Sequence, residues 1–136
     1  MTAQILDIGN SGLDEAARWL RGGELVAFPT ETVYGLGADA TNPDAISAVF
    51  EAKGRPSDNP LIVHLGEAAE ADEVAHVTAL GGDLLRAFAP GPLTVVLPAR
   101  SGLPPAVTAG LGTVAVRVPS ASASRNFVTT RSTWSG

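Results

Sequence analysis

The sequence predicts an α/β domain in which helices flank a sheet. Three observations carry this. Four short runs are apolar and β-rich: Leu25–Phe28, Leu61–Leu65, Leu93–Leu97 and Thr113–Val118. Segments with helical spacing stand between them, and strands alternating with helices point to a layered sheet. Apolar residues make up 45% of the 136, enough for one packed core at an ordinary domain size.

Each element has its own signal. Leu13, Ala16, Ala17 and Leu20 fall at helical spacing, so a first helix starts at Ser11 or Asp14 and ends at Gly22-Gly23. Leu25–Phe28 is a short buried strand running into Pro29. Asn42-Pro43-Asp44 begins a second helix, with a cap residue, a proline in the first turn and an acid at the positive helix end. Ile46, Val49 and Phe50 mark its buried face, and Gly54 stops it. After the strand Leu61–Leu65, a helical stretch lies between Ala68 and Phe88, split by Gly81-Gly82. Leu93–Leu97 and Thr113–Val118 complete the strands. Residues 121–136 are rich in Ser, Thr and Arg and lack periodicity, so no regular element is expected there.

Composition narrows the function. The chain has no cysteine, which excludes thiolate zinc sites, disulfides and a Cys nucleophile. No run of about 18 apolar residues occurs, so no membrane helix is expected. No signal-peptide pattern opens the chain, so the expected location is the cytoplasm. A net charge of −5 argues against coating nucleic acid by bulk electrostatics, while leaving room for a local basic pocket. Fifteen glycines and ten prolines suit a site built from loops.

Five segments carry polar chemistry. Residues Phe28–Gly37 run from a strand into a turn rich in hydroxyls and glycines, able to present Thr hydroxyls and backbone N–H groups to a small polar ligand. An ordinary strand-to-loop turn accounts for it as well. Lys53-Gly54-Arg55-Pro56 sets a point charge and a planar fork at a helix end, a pair suited to polyphosphate. A lysine that complements the helix dipole is the simpler alternative. His64 shares a strand face with Ile62. Arg117 lies opposite Val116 and Val118 on its strand. Either could be purely structural. Pro90-Gly91-Pro92-Leu93-Thr94 is by itself a rigid turn feeding a strand.

Taken in order, the segments Pro-Thr-Glu-Thr-Val-Tyr-Gly-Leu-Gly, Ala-Lys-Gly-Arg-Pro, Asp-Asn-Pro-Leu-Ile-Val-His, Pro-Gly-Pro-Leu-Thr and Val-Ala-Val-Arg-Val-Pro closely resemble the YrdC/Sua5 family over residues 12–120. The resemblance implies a twisted, mostly parallel open sheet with flanking helices and a positively charged pocket. It implies synthesis of threonylcarbamoyl-AMP and pyrophosphate from L-threonine, bicarbonate or CO2, and ATP with Mg²⁺. A separate transferase complex would then modify adenosine 37 of tRNA, which this chain would meet only indirectly. By position, the threonine and carbamate pocket falls on Thr30, Thr32, Tyr34, His64 and Arg117. The phosphate-binding pair is Lys53 and Arg55, with Asn59 nearby and Thr94 in support. No protein metal ligand is implied, and Glu31, though the nearest acid, is not assigned as a base. The assigned residues are expected to converge on one cavity.

The resemblance stops after Pro119-Ser120. The family continues with a helix, a strand and a Pro-Ser-Ala-Asn segment. Here Ser124-Arg125-Asn126 matches Ser-x-Asn only by coincidence. A truncated or frameshifted reading frame accounts for this, with residues 1–120 a family domain, 121–136 a disordered tail, and an unpaired sheet edge where the missing strand belongs. Little or no product is then expected from the chain as written. The alternative is a fragment that binds nucleotide or RNA without turnover. The related module of hydrogenase-maturation carbamoyltransferases would bring zinc-binding cysteines, which this chain lacks.

Overall fold

The computed structural model describes residues 3–7, 9–29, 34–54, 60–120 and 132–135. Helix α1 spans Asn10–Arg21 and turns at Gly22, close to the predicted bounds. It leads into β1, Val26–Pro29, which pairs antiparallel with β2, Tyr34–Asp39. Residues 34–37 belong to the hydroxyl- and glycine-rich turn that the sequence predicts over Phe28–Gly37, but they open a strand. They form a strand because glycine is needed there for packing. A Cβ at Gly37 would stand 2.5 Å from the Phe28 ring, which covers that position.

A tight turn then starts α2, Pro43–Lys53. The Asn42 Oδ1 accepts from the N–H groups of Asp44 at 3.0 Å and Ala45 at 3.3 Å, so two of the orphan donors at the helix start are satisfied. Gly54 takes the left-handed conformation, φ 62°, that ends the helix. Both signals were legible in the sequence. Strand β3, Ile62–His64, follows on the far side of residues 55–59.

The helical stretch expected over 68–88 is divided elsewhere than at Gly81-Gly82. A 3-10 turn, Ala68–Glu70, runs into α3, Ala71–Val74, and α4 spans Ala79–Phe88, capped by the Thr78 hydroxyl on the Gly81 N–H at 3.0 Å. The break falls at residues 75–78, where His76 N–H bonds to the Pro98 carbonyl at 2.8 Å. Gly81 and Gly82 lie inside α4 and are buried. A Cβ at Gly81 would meet Leu97 at 2.5 Å, so this glycine lets the helix press onto the sheet.

Strand β4 is Thr94–Pro98, α5 is Pro105–Thr108, β5 is Thr113–Arg117 and β6 is Ser132–Ser135. All six strands form one sheet in the order β1-β2-β6-β3-β5-β4. The four predicted strands therefore share one sheet, as expected. The sheet is mixed, not mostly parallel: only β3–β5 is parallel among the five pairings. Four residues join β1 to β2, too few for the crossover that parallel neighbours need.

The tail also differs from expectation. Residues 121–131 lie outside the described residues, but Ser132–Ser135 pair antiparallel with β2 on one side and β3 on the other. The place between β2 and β3 is thus filled, rather than left as an unpaired edge. Backbone pairing on both sides supplies what the sequence pattern does not.

One face of the sheet carries Ala38, Val63, Val95, Leu97, Val114 and Val116. It packs on Ile46, Val49 and Phe50 of α2, on Val74 and Leu85, and on Val107. On the other face, among the described residues, α1 covers the β1–β2 end, where Phe28 meets Ala17 and Leu20. Glu70 sits under partial burial, which raises its carboxyl pKa, helped by the nearby Glu73 and Glu67 and opposed by the Gly66 N–H. The folded protein therefore favours the protonated acid. The penalty is absent below the unfolded pKa, near 4, and complete once the pH passes the raised folded value. Glu70→Gln should stabilise the fold slightly at pH 7, and urea titrations should show that gain vanish below about pH 4.

Candidate functional site

Alternation along each strand decides which side chains reach the face opposite the core. Val63, Val116 and Val95 face the core, so His64, Arg117 and Thr94 face the other way. Register then brings them side by side. His64 pairs with Arg117 across β3–β5, and Arg117 pairs with Thr94 across β5–β4. The same row continues through β6 at Ser132 to Asp39 of β2.

The three side chains are held from below. His64 is 4% exposed, with Nδ1 3.3 Å from the Ile62 carbonyl oxygen. Arg117 is half-buried, and its Nε is withdrawn from solvent. The Leu65 N–H bonds to the Arg117 carbonyl at 2.9 Å, extending the pairing past the end of β3. The Pro-Gly-Pro turn is tied down by the Gly91 N–H on the Val118 carbonyl at 2.8 Å, which sets where β4 begins and hence where Thr94 stands. A Cβ at Gly91 would meet the Phe88 carbonyl oxygen at 2.9 Å, so only glycine makes this turn comfortably.

The row lies at the carboxyl ends of the parallel strands β3 and β5, the usual ligand position in sheets of this class. A half-buried guanidinium beside an imidazole and a hydroxyl suits a carboxylate or phosphate, because charge-assisted bonds strengthen away from water. Among the described residues, no group of three or more His, Asp and Glu could hold a metal ion.

The other predicted site residues are placed differently or not described. Thr30, Thr32, Arg55 and Asn59 lie outside the described residues. Tyr34 opens β2 and is exposed, with the strand parity of Leu36 and Ala38, so it does not join His64 and Arg117. Lys53 is the last residue of α2 and is exposed. The described residues thus set His64, Arg117 and Thr94 side by side in one row, which Tyr34 does not join. Sequence reasoning missed the row's other members. Asp39 lies just past the Phe28–Gly37 segment and carries no signal of its own, and neither does Ser132.

The fold and the row define an α/β domain with His64, Arg117 and Thr94 side by side across one face of its sheet. The chain belongs to the Sua5/YciO/YrdC family, whose model, described as Telomere recombination, matches residues 18–132. It is 49% identical over 116 residues to a threonylcarbamoyl-AMP synthase of Bacillus subtilis, covering 84% of this chain and 34% of that protein. It is 51% identical over 105 residues to one of Pyrococcus abyssi, covering 76% of this chain and 31% of that protein. The chain therefore spans about a third of the length of these curated relatives. The structure of P. abyssi Sua5 complexed with L-threonine superposes with a TM-score of 0.87 at 39% identity, over 98% of this chain and 40% of that one.

The arrangement separates binding from folding at Arg117. Removing a charge that sits half-buried on an apolar strand relieves a desolvation cost, while the ligand loses its fork. Arg117→Met should weaken L-threonine binding by about 10- to 100-fold in calorimetry, the range for a hydrogen bond to a charged group. Its urea midpoint should stay near that of the unchanged protein. A large loss of stability with unchanged affinity would contradict this placement.

Proposed function

We propose that this chain supplies the substrate-binding sheet of a threonylcarbamoyl-AMP synthase, a nucleotidyltransferase. L-threonine and bicarbonate or CO2 form a carbamate. A carbamate oxygen attacks the α-phosphate of ATP, and the bond to pyrophosphate breaks as the new P–O bond forms. The observation that carries this reading is the His64–Arg117–Thr94 row, on a sheet whose sequence is 49% and 51% identical to two such synthases.

In this reading Arg117 takes the threonine carboxylate through its planar fork. His64, fixed by burial, orients the carbamate beside it. Thr30, Thr32 and Tyr34 close the pocket from the β1–β2 connection. Lys53 and Arg55, with Asn59 nearby and Thr94 in support, offset charge on the triphosphate. Catalysis is then positioning and charge stabilisation without a covalent enzyme intermediate. Mg²⁺ would enter with ATP and offset phosphate charge, with no side chain of this chain assigned to hold it. The product passes to a separate transferase complex in the cytoplasm, and tRNA is met only through that partner.

The test uses labelled threonine, bicarbonate, ATP and Mg²⁺. Expected is pyrophosphate release that requires threonine and is accompanied by threonylcarbamoyl-AMP, at a rate below that of a full-length relative. His64→Ala and Arg117→Ala should each lower kcat/KM for threonine on the order of a hundredfold, with the KM for ATP little changed. ATP binding without threonine-dependent pyrophosphate release would overturn the reading and leave a nucleotide-binding domain.

A further inference from the structure

Helix α4 is inverted relative to an ordinary surface helix. It turns Gly81, Gly82 and Leu85 inward and leaves Leu80 70% and Phe88 60% exposed. Val77, just before the helix, is also exposed. Leu80, half-buried Leu84 and Phe88 form an i, i+4, i+8 ridge, the feature by which helices pack on one another. A contiguous apolar ridge of this kind on a small domain marks a contact surface.

The charges along α4 say what covers it. Its only ionisable side chains are Asp83 and Arg86, which pair with each other beside the ridge and are both largely exposed. The helix is therefore neutral in a chain of net charge −5, which makes it a place where two copies can meet without like-charge repulsion. The pattern is also self-complementary. A two-fold antiparallel contact centred on Leu84 sets Leu80 of one copy against Phe88 of the other. The same operation sets Asp83 of each copy beside Arg86 of its mate, as an isologous interface requires.

We infer that α4 is the contact helix of a homodimer in which two copies of this chain pack antiparallel across Leu80, Leu84 and Phe88. The sheet face that carries His64 and Arg117 lies on the opposite side from α4, so the pairing leaves it open.

Sedimentation equilibrium of the full chain over about 5 to 500 µM tests this, since such a contact is governed by protomer concentration. Expected is a concentration-dependent shift to twice the monomer mass. Leu80→Glu and Phe88→Glu should each abolish the shift. Both positions are exposed, so the circular dichroism spectrum and melting temperature should stay unchanged. Asp83→Arg alone should weaken the dimer at least tenfold, and Asp83→Arg with Arg86→Asp should restore it. Only a contact between copies predicts that rescue. A single monomeric species at every concentration would overturn the inference, leaving the ridge bare or covered by a different protein. So would a dimer indifferent to Leu80→Glu and Phe88→Glu.

Discussion

The sheet depends on one pairing, that of β6 with β2 and β3. Without it the described strands fall into two groups, β1–β2 and β3–β5–β4, joined by no strand pairing. Four residues thus connect a hairpin at one edge to a three-stranded unit at the other. Backbone bonding on both sides is what makes so short a segment a strand, because each residue satisfies groups that would otherwise be buried without partners. The helices reinforce the same junction from one side. α2 packs on β2 while its buried residues share a core with Val63 of β3.

This junction also sets the candidate site. His64 and Arg117 are neighbours because β3 and β5 are parallel and in register. Asp39 is brought into the same row only through β6. His64, Arg117 and Thr94 therefore stand side by side on one face of the sheet, at the carboxyl ends of β3 and β5.

Much of this was legible in the sequence, and the remainder was hidden for physical reasons. Asn42-Pro43 and Gly54 announced α2 because capping is local chemistry, settled by residues a few positions apart. The outward direction of His64 and Arg117 followed from strand alternation. Their meeting did not, because register between strands far apart in sequence has no local signature. Gly37 of β2 looked like a loop signal but serves the close approach of Phe28. Gly81 looked like part of a helix break but serves the approach of α4 to Leu97. In both cases the sequence shows that a side chain is missing, and only packing shows why. β6 is the extreme case: its strand state comes entirely from its neighbours.

Amide hydrogen exchange across residues 132–135 tests this account most directly. If β6 joins the two halves of the sheet, those amides should exchange as slowly as the amides of Ile62–His64, through opening of the same cooperative unit. Addition of threonine and ATP should slow both sets together. Exchange of Ser132–Ser135 at the rate of an unfolded peptide, while Ile62–His64 remain protected, would contradict it.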